Sequence, residues 1–187
     1  GFVDGHISLA KYGYTFSVAF DSSGNLFSTA AYLIRKLTPA GFVTTFASNV
    51  GASGIAFDSL NNLYVVRFNH DILKYSPNGT VTTFAGTVNA AGSIDGIGSA
   101  ARFNTPHGIA IDSSGNLYVA DSGNHLIRKI TPSGSVSTIA GNAGVIGSTD
   151  GIGSVARFNS PRGIAVDLAG NLFVTDMSNH VIRKITP

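Results

Sequence analysis

The chain has 187 residues, of which 43% are hydrophobic and 12% are charged, so it is long enough for one sizeable core and needs no second domain. Twelve Lys and Arg residues stand against ten Asp and Glu residues, and this weak, dispersed charge argues against nucleic acid as a partner. No apolar run approaches the ~18 residues of a membrane-spanning helix, and the absence of Cys excludes disulfides and thiolate metal sites.

Short apolar runs bounded by turn residues divide the chain into similar units. The first unit contains such runs at Asn25–Phe27, Ile34–Pro39 and Phe42–Ala47, and the second resumes the pattern at Gly54. The third and fourth units match most closely, with a period of 55 residues, which is typical of a repeat architecture. We expect one domain whose units lie at approximately 1–48, 49–92, 93–147 and 148–187.

A complete unit has the pattern of four short antiparallel strands. In the third unit the runs are GIAID, NLYVAD, HLIRKIT and SVSTIAG, and they are separated by Gly, Pro, Asn and Ser. Runs of β-branched and aromatic residues favour strands, and the intervening residues favour turns. The chain shows no sustained helical period. The sequence therefore predicts an all-β protein, a β-propeller built of four-stranded antiparallel blades with four units visible.

The start of the third strand carries a family resemblance. The third unit has Asn-His-Leu at 124–126, followed by Ile127–Ile130, and this pattern resembles the NHL repeat. Asn179–Val181 and Asn69–Asp71 match it less literally, and the first unit has no Asn-His pair. The resemblance implies a propeller, commonly of six blades. It implies no single activity, because the family includes protein-binding and RNA-binding modules, sensor domains and a peptide-amidating lyase.

The closure of the ring has two interpretations. The fourth unit reaches Pro187 before its fourth strand, so the chain is either part of a longer array or closes by using Gly1–Ser8, which resembles Gly41–Ser48, as the missing strand. A competing alignment places Val3–Asp21 on Thr149–Asp167. An open propeller exposes sheet edges and apolar blade faces. We therefore expect closure within the chain or by a partner copy, and favour four blades.

One position differs in every unit and is the main candidate for a binding site. The residue that opens the innermost strand is Phe16, Ser53, His107 and Arg162 in the four units. Residues that the fold requires are the same in every unit, so variation at the rim of the central channel is compatible with a binding site there. It fits simple exposure to solvent equally well.

The recurring histidines are candidate metal ligands. His70, His125 and His180 occupy equivalent positions, and three imidazoles are a known ligand set for zinc. Equivalent positions of successive blades lie around a circle, which separates these side chains. We therefore favour a turn and packing role for the histidines, and predict no metal site and no cofactor.

Two acidic residues and a glycine-rich loop complete the set of candidates. Asp121 and Asp176 precede the Asn-His turn and are expected to accept hydrogen bonds from backbone amides or from the following arginine, and both are retained as candidate binding residues. The loops Asp95–Phe103 and Asp150–Phe158 lack the helix of a phosphate-binding loop and the oxygen ligands of an EF-hand. We expect their Phe to pack between blades and their Arg to pair with an Asp.

These patterns favour a non-enzymatic binding or assembly scaffold. Its expected partner is a protein or a glycan bound through the loop face, and self-assembly with other copies is a second use of the same surfaces. The alternative is a metal-dependent lyase or hydrolase with its site at the central channel, although no catalytic residue is assigned. The surplus of Gly, Ser, Thr and Asn is typical of exported bacterial β-proteins and favours an extracellular or periplasmic location.

Overall fold

The computed structural model describes residues 2–187 as four antiparallel sheets arranged as the blades of a β-propeller. This arrangement confirms the all-β propeller that the repeat pattern predicts. Helical structure in the described residues is limited to four single 3-10 turns, at Gly98–Ala100, Ser122–Asn124, Gly153–Val155 and Met177–Asn179. None of these turns has the length and apolarity that crossing a membrane requires.

Blades 1 and 2 come from the first half of the chain. Blade 1 has the spatial order β1-β5-β4-β3-β2, with β1 (Gly5–His6), β2 (Thr15–Phe20), β3 (Leu26–Ala30), β4 (Leu33–Leu37) and β5 (Phe42–Ala47). Blade 2 has the order β6-β7-β8-β9, with β6 (Ala52–Phe57), β7 (Leu63–Arg67), β8 (Asp71–Tyr75) and β9 (Val81–Gly86). In both blades the first strand of the unit lies at one edge of the sheet.

Blades 3 and 4 follow the same plan. Blade 3 has the order β10-β14-β13-β12-β11, with β10 (Gly96–Ile97), β11 (Ile109–Ile111), β12 (Leu117–Asp121), β13 (Leu126–Ile130) and β14 (Ser135–Ala140). Blade 4 has three strands in the described chain, β15 (Pro161–Val166), β16 (Leu172–Asp176) and β17 (Val181–Ile185).

A repeated Asp-Asn pair forms the turn between the first and second strands of each unit. In blade 3 the carboxylate of Asp112 accepts hydrogen bonds from the backbone N–H groups of Ser114 and Asn116, at 2.9 Å each. The side-chain amide of Asn116 donates to the second carboxylate oxygen at 2.8 Å. Asp and Asn favour such turns because their side chains bond the local backbone. The equivalent pairs are Asp21–Asn25, Asp58–Asn62 and Asp167–Asn171.

The hydrophobic core lies between the blades. Blades 2 and 3 share a cluster that contains Val66, Ile72, Leu117 and Val119, and comparable clusters join blade 1 to blade 2 and blade 3 to blade 4. Phe103 is fully buried in the first of these clusters. Phe158 is buried in the same way between blades 3 and 4. The glycine-rich loops therefore insert their Phe between blades, as expected. The predicted pairing of their Arg with an Asp is wrong, because Arg102 and Arg157 donate hydrogen bonds to backbone carbonyls of the loops instead.

The N-terminal residues belong to blade 1. Strand β1 pairs with β5, just as β10 pairs with β14 in blade 3. Asp4 forms an ion pair with Arg35 at 2.8 Å, and this pair corresponds to Asp95 and Arg128 at 2.7 Å. The alignment of Val3–Asp21 with the fourth-unit loop is therefore correct. Closure of the ring by the N-terminal residues, as an outer strand of blade 4, is not the observed arrangement.

The outward faces of blades 1 and 4 carry exposed apolar side chains. Val18 on β2 is 57% exposed, whereas Ile109 at the equivalent position of blade 3 is 9% exposed. Ile182 on β17 is 72% exposed, whereas the equivalent Ile127 is fully buried. The positions that form the interior between the other blades are thus open to solvent on these two faces.

Candidate binding site

One cavity brings together the variable residues that open the innermost strands. Phe16, Ser53, His107 and Arg162 come from four different blades and line a cavity of about 230 Å³. Its remaining lining residues are Ser17, Gly108, Ile109, Gly163 and Ile164. The structure therefore places four of the six sequence-predicted binding residues around one space at the centre of the propeller.

Close contact between the inner strands shapes this cavity. A Cβ atom at Gly54 would lie well within 3.0 Å of the carbonyl oxygen of His107, and one at Gly108 equally close to that of Arg162. Only glycine fits such an approach between backbones. These two glycines let each inner strand pack against the start of the next. As a result His107 and Arg162 come to the same rim.

Ser53 forms a joint between blades rather than a free polar group. It is 4% exposed, and its hydroxyl lies 2.9 Å from the carbonyl oxygen of Pro106 and 3.2 Å from those of Val66 and His107. A hydroxyl supplies one donor hydrogen, which these three acceptors share. Ser53 therefore holds β6 to the segment that precedes β11, and it is one of the residues that line the cavity.

Two aromatic residues of the lining, Phe16 and His107, share a neighbour, Phe68, that is not itself part of the lining. The rings of Phe68 and His107 meet edge to face, with centroids 5.3 Å apart. Phe68 also meets Phe16 edge to face at 5.7 Å. Such pairs hold aromatic side chains in fixed orientations. Sequence comparison missed Phe68, although it stands where the third and fourth units have Ser122 and Met177, and that difference was the available signal.

The cavity has positive electrostatic character. Arg162 is exposed, and within residues 2–187 its guanidinium forms no ion pair or hydrogen bond with another side chain or with the backbone. None of the lining residues is acidic. Burial lowers the pKa of His107 below its ordinary value, and the charge of Arg162 lowers it further. His107 is therefore neutral near pH 7, and Arg162 supplies the charge of the rim.

The structure places Asp121 and Asp176 away from the cavity. Asp121 is fully buried and accepts hydrogen bonds from the backbone N–H of Asn104, the side-chain amide of Asn124 and the guanidinium of Arg128, each at 2.8 Å. Burial raises the pKa of Asp121 to about 6, against the opposing effect of these donors. Asp176 has the equivalent partners in blade 4, which are Asn159, Asn179 and Arg183. Both carboxylates fasten a glycine-rich loop to its own blade.

The recurring histidines join neighbouring blades. The Nδ1 atom of His70 accepts a hydrogen bond from the backbone N–H of Thr105 at 2.9 Å, and His125 accepts one from Ser160 at 3.0 Å. These bonds confirm the turn and packing role of the two side chains. Within residues 2–187, no three His, Asp or Glu side chains converge in a group that could hold a metal ion.

The blades and their repeated hydrogen bonds define the class of protein as a β-propeller of antiparallel blades. The family model for the NHL repeat matches residues 103–130, from the buried Phe103 to the end of β13. Residues 103–130 of blade 3 therefore match the NHL repeat, which confirms the resemblance seen at residues 124–130.

The chain spans only part of the length of the proteins that it resembles. The chain is 38% identical over 95 residues to "Protein SUPPRESSOR OF QUENCHING 1, chloroplastic" of Arabidopsis thaliana, covering 50% of this chain and 9% of that protein. It is 36% identical over 95 residues to "NHL repeat-containing protein 2" of Homo sapiens, covering 49% of this chain and 13% of the relative. A solved structure, an auxiliary nutrient binding protein from Bacteroides thetaiotaomicron, superposes with a TM-score of 0.79 at 27% identity, over 94% of this chain and 48% of that one.

Proposed function

We propose that the protein is a non-enzymatic binding module that takes a glycan at the cavity between the innermost strands. The observation that carries this proposal is the convergence of Phe16, Ser53, His107 and Arg162, which occupy equivalent positions and differ in chemistry. The fold requires glycine at the neighbouring positions 54 and 108, and leaves the rim residues free to vary. Similarity to an auxiliary nutrient binding protein supports a binding role of this kind.

The size and lining of the cavity favour a sugar unit as the bound group. A volume of about 230 Å³ is below the range of about 300–1,000 Å³ typical of pockets for drug-sized ligands, so the cavity fits one small unit of a longer ligand. Phe16 and His107 offer ring surfaces for the apolar face of a sugar. The imidazole and guanidinium offer partners for its polar groups. An extended protein segment that inserts one side chain is the competing ligand.

Binding is a better account of these residues than metal-dependent turnover. A lyase or hydrolase of that kind needs a convergent set of metal ligands, and His70 and His125 already use Nδ1 to join blades. The hydroxyl of Ser53 is directed to three backbone carbonyls, so it is not placed to act as a nucleophile. The proposal therefore assigns the rim residues to recognition.

Self-assembly is a second proposed role, carried by the exposed faces of blades 1 and 4. Val18, Phe20 and Ile182 are all more than half exposed, and apolar faces of this kind favour burial against another blade. A second copy of the chain is the proposed occupant. Sedimentation equilibrium tests this role: Ile182→Ser is expected to weaken association, and a concentration-independent monomer would contradict it.

We further propose an extracellular or periplasmic location, in keeping with the composition.

A glycan array tests the binding role directly. The wild-type protein is expected to bind a restricted set of glycans, and Phe16→Ala is expected to weaken binding about tenfold because it removes one ring of the lining. Phe42→Ala is the matched control, since Phe42 is also 53% exposed but lies outside the cavity. Equal loss in both variants would contradict binding at this cavity. Binding to extended peptides alone would replace the glycan by a protein ligand.

A further inference from the structure

We infer that the sugar bound at this cavity carries a carboxylate, as uronic acids do, and that Arg162 pairs with it. This inference rests on the proposed function and narrows its ligand class. The chain has seven arginines. Arg162 differs from the other six because its guanidinium has no partner among the described residues.

Six arginines are engaged inside the protein. Four of them form ion pairs with aspartates, namely Arg35, Arg67, Arg128 and Arg183. Arg102 and Arg157 donate hydrogen bonds to backbone carbonyls of their own loops. Within the part of the chain that the structure describes, the guanidinium of Arg162 has no such partner, and it lies at a cavity with no acidic lining residue. Its donors are therefore available to a ligand.

A planar carboxylate is the group that this side chain fits best. The guanidinium presents parallel N–H donors that match the two oxygens of a carboxylate. Phosphate also meets this requirement, but a sugar ring between the carboxylate and the aromatic lining would additionally cover Phe16 and the edge of His107. The aromatic lining and the single cation therefore favour a ligand with an apolar ring face and one anionic group.

His107 provides an internal reporter of the bound charge. Arg162 on β15 is the charged group that acts on His107, and the neighbouring Phe68 and Ser53 are uncharged. An anion at Arg162 offsets the positive field that disfavours the imidazolium. Binding should therefore raise the pKa of His107 and take up protons, so affinity should increase as the pH falls through the pKa of the complex.

The test uses matched pairs of sugars that differ in one charge. Glucuronate and galacturonate are compared with glucose and galactose by calorimetry and by NMR of the His107 imidazole. At least one uronate is expected to bind about tenfold or more tightly than its neutral partner, since hydrogen bonds between charged groups are the strong ones. Arg162→Gln should remove this preference, and Arg162→Lys should keep part of it. Lys184→Gln, which removes an exposed charge outside the cavity, should leave the preference unchanged.

The outcomes separate the two proposals. Equal binding of the neutral sugars, with no dependence on Arg162, would overturn the carboxylate and leave the glycan-binding function intact. If neither series shifts the His107 signals, the carboxylate-bearing sugar is overturned, and the glycan array decides separately on the glycan-binding function. Short glutamate-rich peptides serve as a third probe, and their binding in place of the uronates would keep the anionic contact with Arg162 but overturn the sugar.

Discussion

The Nδ1 atom of His125 accepts a hydrogen bond at 3.0 Å from the backbone N–H of Ser160, which lies 35 residues later in the chain. His125 belongs to the turn between β12 and β13, whereas Ser160 immediately precedes β15 of the next blade. His70 makes the same bond to Thr105 one blade earlier. The histidine of the repeat therefore acts between blades.

Replacing His125 by Ala is expected to destabilise the protein by about 1–2 kcal/mol, because the N–H of Ser160 loses its partner in a partly buried position. His180→Ala is the matched control. His180 has the same left-handed backbone, with φ of 59° against 61° for His125, and is exposed at the face of blade 4. Chemical denaturation should show a clearly smaller loss for the control. Equal losses would assign the effect to the turn itself.

Gly108→Ala is expected to destabilise the protein by about 1–3 kcal/mol, because its Cβ would overlap the carbonyl oxygen of Arg162 on the neighbouring strand. Gly163→Ala, at the equivalent position of blade 4, meets only the side chain of Thr175 and should cost much less. Thermal unfolding of both variants measures the difference. A Gly108→Ala protein as stable as the Gly163→Ala protein would contradict the close packing of the inner strands.

The buried Asp121 should give a characteristic pH dependence of stability. Its pKa is raised to about 6, above the usual value of about 3.9 in an unfolded chain, so between these pH values the native state holds a proton that the unfolded state releases. The contribution of Asp121 to the free energy of unfolding is therefore fully present below about pH 4 and is lost as the pH rises through about 6.

Asp121→Asn provides the reference for that measurement. The pKa values of Asp21 and Asp112 are lowered in the folded protein and act in the opposite direction, but they are common to both proteins. The free energy of unfolding of the wild type, relative to Asp121→Asn, should fall between about pH 4 and pH 6 in urea titrations. A rise over this range would show that the pairing of Asp121 with Arg128 outweighs its burial.

Repetition made most of the fold and part of the site predictable. The turn residues and the short β-branched runs define the blades locally, and comparison of equivalent positions located Phe16, Ser53, His107 and Arg162 without knowledge of any contact. Phe68 was missed because its contact with His107 joins one blade to the next, and no single repeat contains that information.

Two further features also depended on contacts between distant residues. The N-terminus could be aligned in two ways. Gly1–Ser8 begins with Gly-Phe-Val as Gly41–Ser48 does, whereas Val3–Asp21 also aligns with Thr149–Asp167, and the Asp4–Arg35 ion pair supports the second alignment. The sequence predicted the hydrogen bonds of Asp121 to a backbone amide and to Arg128, but not its burial away from the rim, which follows from the packing of the loop onto its blade.

Arg162→Gln is expected to raise the pKa of His107 in the free protein, because it removes the charge that disfavours the imidazolium. The pKa should stay below the ordinary value of about 6.5, since burial is the larger cause of the shift and is retained in the variant. NMR titration of the histidine ring signals measures this change, and Lys184→Gln controls for the loss of one positive charge elsewhere. An unchanged pKa in Arg162→Gln would show that the guanidinium turns away from the imidazole in solution, and the rim would then lack the charge assigned to it.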